Sequence, residues 1–216
     1  MLGRRRWSLL LAGLLCVDPS ASRRARKAAR RAQPAAPAQR AAATETAPEL
    51  RPQLRSFPGA LSGEQCDQLI AAAESEGTQF DGLTTFGHDS KRDSDVRWLP
   101  RGHPSVAAVH RSFAAHTRTA NEDGWGWPLT RPEVQGLQFA KYKEPHGGYD
   151  WHVDSQPQHD RKGGGHMVTR MVTLVAQLSH PDSYTGGDLQ VGTVNASRER
   201  GTLHVFPSSM AHKVSQ

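Results

Sequence analysis

The sequence predicts an α+β fold, mainly β with flanking helices, in which a jelly roll or antiparallel sandwich carries the chemistry. Three observations predict it. Apolar residues recur at helical spacing up to about residue 120, and beyond 130 they alternate with a period of two. The run 168–178 is long, apolar and β-branched, as a strand buried on both faces should be. Short strands separated by Gly- and Pro-rich turns then continue to the end of the sequence, and helices followed by many short strands read as this class.

The 216 residues suit one domain preceded by a leader. The net charge of +6 is unevenly spread: residues 1–47 carry +8 and the remainder −2. The basic pI of 9.7 therefore belongs to the leader, and no nucleic-acid binding is expected of the folded part. Residues 1–22 read as a signal peptide, with Arg4, Arg5 and Arg6 before an eleven-residue apolar run from Trp7 to Val17 and small residues at 20–22. That run is shorter than the roughly 20 residues of a membrane span, so no stable span is expected. Residues 23–50 are Arg-, Ala- and Pro-rich, a disordered leader or linker. Secretory delivery (ER lumen or secreted) follows, with a plastid reached through a two-part leader as the alternative. Cys16 lies in the apolar run, which leaves Cys66 alone in the rest and allows no internal disulfide there.

Folded sequence is expected from about residue 51 to 216. Residues 54–57 suit a short strand closed by Pro58 and Gly59. Ser62 and Gln65 form a capping box, and Cys66, Leu69, Ile70 and Ala73 give a packing helix its apolar stripe up to Gly77. Residues 81–97 are rich in charge and glycine and read as loop. Pro104 opens a second helix striped by Val106, Val109, Phe113 and Ala114. Asn121 to Pro128, with Trp125 and Trp127, breaks the helical pattern, and the tryptophans read as packing anchors. Leu137 to Tyr142 alternates as a strand, and a Pro-His-Gly-Gly turn leads to a strand over 149–154. Residues 155–166 are polar, end in three glycines and suggest a flap. Strands follow at 188–191 and 201–206.

On the 149–154 segment, His152 and Asp154 lie two residues apart and converge on one face of a strand, while Trp151 and Val153 turn away. His212, just beyond a buried strand, offers a third ligand. Two imidazoles and one carboxylate leave open positions on a metal, the arrangement of non-haem Fe(II) oxygenases. The other histidines have no convergent partners in the sequence and read as surface or packing residues.

These residues, together with Leu137-Gln138-Phe139-Ala140-Lys141-Tyr142, Gln177-Leu178-Ser179, Tyr184-x-Gly-Gly-Asp-Leu and Phe206-Pro-Ser to His212, make residues 54–216 resemble the 2-oxoglutarate- and Fe(II)-dependent dioxygenases, in their prolyl 4-hydroxylase-like branch. The resemblance implies a double-stranded β-helix with Fe(II) on His152, Asp154 and His212. It implies 2-oxoglutarate and O2 as cosubstrates, with ascorbate as an accompanying reductant. Tyr142 matches a tyrosine that bonds the distal carboxylate of 2-oxoglutarate, and Gln177 stands where some prolyl hydroxylases carry a second tyrosine. The reaction implied is hydroxylation of a C–H bond, with release of succinate and CO2, on a peptidyl proline, another protein side chain or a small molecule. The family also carries an Arg or Lys about ten residues beyond the last histidine, on the last core strand. The sequence stops four residues beyond His212, so a jelly roll lacking that strand is expected, and a C-terminally incomplete domain is the favoured reading. Arg170 and Lys213 are the substitutes weighed for the missing cation. A catalytically inactive jelly-roll binding module, or a non-functional truncated form, is the alternative reading.

Overall fold

The computed structural model describes residues 7–17, 53–80, 92–127, 129, 134–143, 147–155, 157–159 and 167–216. Their strands form two antiparallel sheets. The larger has the order β2-β12-β9-β1-β6-β5-β3, with β8 paired to β9, and comprises β1 (Trp7–Val17), β2 (Arg55–Phe57), β3 (Thr78–Phe80), β5 (Asp95–Pro100), β6 (Val134–Lys143), β8 (Pro157–His159), β9 (Met167–Gln177) and β12 (Leu203–Pro207). The smaller has the order β11-β10-β13-β7-β4, from β4 (Arg92–Asp93), β7 (Gly148–His152), β10 (Leu189–Val191), β11 (Val194–Asn195) and β13 (His212–Val214). Neither sheet closes on itself, and the pair is an incomplete jelly roll with helices on one side.

The two faces of the larger sheet do different work. Leu137 and Phe139 of β6, Val172, Leu174 and Ala176 of β9, and Leu203 and Val205 of β12 meet helices α1 (Gly63–Glu76) and α2 (Pro104–Ala120) in one apolar core. Residues of opposite parity, Ala140, Tyr142, Val175 and Phe206, face the smaller sheet and pack on Leu189, Val191 and Val214. The period of two thus sorts every strand between a dry helix side and a cavity side.

The helices form as their caps dictate. Ser62 accepts from the Gln65 amide while the Gln65 side chain accepts from the Ser62 amide, closing the capping box. Gly201, at φ +83°, brings β12 against the start of α1, where a Cβ would lie 2.2 Å from the Leu61 carbonyl oxygen, so glycine is required there. The second helix does not stop at Asn121 but widens into one π turn, Asn121–Trp125, before Gly126 ends it in the left-handed region. The Asn121 side chain bonds both the amide and the carbonyl of Trp127, fixing the two tryptophans 5.1 Å apart against the core as packing anchors.

Three sequence expectations need correction. Residues 92–97, read as the end of a loop, contribute β4 and the first half of β5, because β6 and β7 each offer an open edge there; residues 81–91 lie outside the described residues. Part of the expected flap, Pro157–His159, pairs with β9. The strand read over 149–154 ends at His152, and Asp154 lies beyond it, its amide bonded to the Ser208 carbonyl. The apolar run read as the heart of a signal peptide is placed as β1, paired on one side with β6 and on the other with β9, a pairing that leaves cleavage of the segment open. The strands that the missing-strand expectation leaves unpaired are joined by this segment.

Candidate metal centre

His152 and His212 are brought together by strand register. They are direct partners across β7 and β13, with ring centroids 4.1 Å apart. A register shift follows, placing two residues of β7, Asp150 and Trp151, against one of β13, Lys213, between these partners and the next pair, Tyr149 and Val214. Such a bulge carries one extra residue and re-aims its neighbours. It puts Tyr149 on the same face as His152 despite their odd spacing, and the two rings stack at 3.6 Å.

Asp154 reaches the histidines from the other side. Its Oδ1 lies 3.8 Å from His152 Nε2 and its Oδ2 3.6 Å from His212 Nε2. One ligand atom from each of the three residues lies within 4.8 Å of the others. Both imidazoles use Nδ1 to donate to a carbonyl of their own segment, His152 to Asp150 at 2.8 Å and His212 to Met210 at 3.1 Å. This fixes the tautomer and leaves both Nε2 lone pairs aimed at the carboxylate. Asp154 is steadied in turn by the Thr173 hydroxyl, which donates to Oδ2 at 2.9 Å, and Thr173 also bonds the buried Ser208 hydroxyl at 2.9 Å. Burial, and secondarily the neighbouring His212, lower the His152 pKa to about 4, so its imidazole is neutral at pH 7, as a metal ligand must be. Two imidazoles and a carboxylate on one side of a common point fit Fe(II) and leave room for further ligands.

Sequence comparison bears on the same residues. The model of the 2OG-Fe(II) oxygenase superfamily matches residues 137–216. A PKHD-type hydroxylase of Xanthomonas campestris pv. campestris (strain 8004) is 30% identical over 168 residues, covering 74% of this chain and 71% of the relative. The chain belongs to the 2-oxoglutarate- and Fe(II)-dependent oxygenases. A PKHD-type hydroxylase of Crocosphaera subtropica is 28% identical over 160 residues, 71% of this chain and 68% of that one. In fold, the oxygenase is similar to the viral collagen prolyl hydroxylase of Paramecium Bursaria Chlorella virus-1 in its 2OG complex, with a TM-score of 0.55 at 20% identity, covering 76% of this chain and 88% of that one.

The remaining sequence candidates separate. Tyr142 lies on the cavity side of β6, buried, with a side-chain hydrogen bond to Arg92; burial raises its pKa, so it is a neutral phenol. Arg170 lies on β9 beyond a register shift against β1, half-buried, with its Nε buried and without a hydrogen-bond partner. Lys213 sits 5.1 Å over the ring of Trp151, on the outer side of β7. Gln177 is buried and bonds the Tyr184 hydroxyl at 2.5 Å. His204 is a satisfied core histidine, bonded to Ser56 and to the Ser197 carbonyl.

Sequence reasoning missed Thr173, Tyr149 and Arg92. Thr173 carried a signal, as a lone hydroxyl within the apolar run 171–176 on the cavity-side parity. Tyr149 needed the bulge, and Arg92 needed the pairing of β4 with β7, which local sequence does not encode.

Proposed function

We propose that this oxygenase hydroxylates an unactivated C–H bond of a peptide or small molecule, with a peptidyl proline as the leading substrate class. His152, Asp154 and His212 would hold Fe(II). The metal, with 2-oxoglutarate and O2, supplies the oxidising chemistry, in which the oxo acid is decarboxylated to succinate and one oxygen atom enters the substrate. The observation that carries the reading is the shared aim of two tautomer-fixed Nε2 atoms and one carboxylate.

The chain's own residues orient and exclude. The carbonyls of Asp150 and Met210 keep each imidazole turned, and Thr173 holds the carboxylate. The apolar layer of Ala140, Val175, Leu189, Val191 and Phe206 excludes water from one side of the site. The prolyl preference draws support from the hydroxylases named above. Ascorbate would serve as the accompanying reductant.

The test is iron-dependent conversion of 2-oxoglutarate to succinate by the purified chain, measured with and without prolyl peptides. Succinate release dependent on Fe(II) and increased by a prolyl peptide is expected; metal binding without turnover would favour an inactive binding module. Among the described residues no helix is long and apolar enough to cross a membrane. Secretory or plastid delivery rests on the composition of residues 1–50, and N-terminal sequencing of the mature protein decides whether Trp7–Val17 is removed or retained as β1.

A further inference from the structure

We propose that Ser208 is a positioning residue for the metal centre: it ties the segments carrying Asp154 and His212 to one point of β9, and its hydroxyl commits the Thr173 proton to the Asp154 carboxylate. The proposal rests on the reading of the triad as an iron site and deepens it by naming what places the carboxylate.

Ser208 lies at the first corner of a turn, closed by the Met210 amide donating to the Pro207 carbonyl at 2.9 Å. Every polar group of this fully buried residue is used. Its amide donates to the Met171 carbonyl of β9 at 2.9 Å. Its carbonyl accepts from two successive amides, Asp154 at 2.9 Å and Ser155 at 3.0 Å, which occupies both lone pairs. Two residues further along, the Met210 carbonyl takes the His212 Nδ1 proton. The loop holding Asp154 and the turn leading to His212 are thus joined at one residue, although they are far apart in sequence.

The hydroxyls add a direction. Thr173, also fully buried, has a single proton and donates it to Asp154 Oδ2 at 2.9 Å. Its other contact, 2.9 Å to the Ser208 hydroxyl, must therefore be a bond that it accepts, so Ser208 is the donor. The order Ser208 to Thr173 to Asp154 satisfies both buried protons and ends on the one anion of the three groups. A hydroxyl that accepts one bond donates a stronger one, and the two bonds together fix the Thr173 rotamer. Ser208 thus acts on the carboxylate twice, through its carbonyl on the Asp154 main chain and through Thr173 on the Asp154 side chain.

The experiment uses the full chain and three variants, Ser208→Ala, Thr173→Val and the two combined. It reads anaerobic Mn(II) affinity by calorimetry, the Mn(II) electron paramagnetic resonance spectrum, and the urea midpoint of the metal-free chain. Ser208→Ala should bind Mn(II) about three- to tenfold more weakly with an altered spectrum, a smaller loss than the roughly 10–100-fold expected for Thr173→Val, whose side chain touches the ligand itself. Thr173→Val also leaves the Ser208 hydroxyl buried without a partner, so its midpoint should fall. Adding Ser208→Ala removes that orphan: the midpoint should rise above that of Thr173→Val, with no further loss of Mn(II) affinity. Such opposite responses of stability and affinity mark a relay, since a serine that only fills space would lower the midpoint again and add its own loss. Additive losses in the combined variant, or unchanged affinity and spectrum in Ser208→Ala, overturn the proposal. If Ser208→Ala does not fold, Ser208→Cys, a weaker donor of similar size, takes its place with a loss of affinity again expected, and wild-type affinity there overturns the proposal. A wild-type chain that binds no Mn(II) overturns the triad reading and this proposal with it; a wild-type chain that binds Mn(II) while the variants behave additively overturns the proposal alone.

Discussion

The triad end and the Tyr142 end of the cavity are held in place by different means. Each triad residue has a second bond to the fold, through a backbone carbonyl for the two histidines and through Thr173 for Asp154. The ligands are therefore set by main chain and by one buried hydroxyl pair, with little side-chain freedom left. At the other end, Tyr142, Gln138 and Arg92 hold one another through side chains, and Arg92 enters from the two-residue edge strand β4. The ligand end is preorganised by strand register, whereas the Tyr142 end is held by bonds between side chains. A metal site tolerates little error in ligand placement, and the first arrangement supplies that precision.

The difference can be broken from either side. The largest effect is expected for Asp154→Ala or His212→Ala, which should abolish stoichiometric Fe(II) or Mn(II) binding and all succinate production while near-UV circular dichroism stays native. Full turnover in either variant would refute the site.

Next comes Leu11→Pro in β1. Leu11 is registered with Phe139 on one side and Ala176 on the other, so proline removes an amide from the centre of the sheet. Each backbone group left unpaired should cost about 1–3 kcal/mol, read as a lower denaturant midpoint. An unchanged midpoint would show that β1 contributes nothing to the sheet.

Thr173→Val should be milder, weakening metal binding roughly 10–100-fold with the fold intact, as expected for loss of a group that orients a ligand. An unaltered metal affinity would mean that the carboxylate is placed by its backbone alone.

The smallest effect lies outside both halves. Burial lowers the pKa of His204 below its ordinary 6.5, while the unfolded chain protonates it near that value. Below pH 6.5 the unfolded state therefore binds more protons, and stability falls as pH drops toward the folded pKa. His204→Gln should flatten the acid side of the stability curve without changing metal affinity. A curve of unchanged slope would remove His204 as the cause.

Much of the metal half was legible in sequence because its determinants are local. The spacing of His152 and Asp154, the buried run before His212 and the capping box at Ser62 are short patterns with a physical reason. What was illegible depends on partners far away. Arg92 sits in a charged stretch that composition assigns to loop, and only the open edge of β7 makes it a strand. Tyr149 faces the histidines because of a bulge that no alternation rule contains. The eleven apolar residues of β1 satisfy the requirements of a signal sequence and of a central strand equally, since both ask for an uncharged run of that length.

The position of β1 has a consequence for the order of assembly. Trp7–Val17 leaves the ribosome well before both of its neighbours, Val134–Lys143 and Met167–Gln177. Contacts so distant along the chain make folding slow, because a long loop must close before any ladder hydrogen bond rewards it. Until then an apolar strand with two bare edges waits in solution, the kind of segment that self-associates or draws a chaperone. Refolding yield should therefore fall with protein concentration, and the cavity should be the last part of the molecule to acquire its walls.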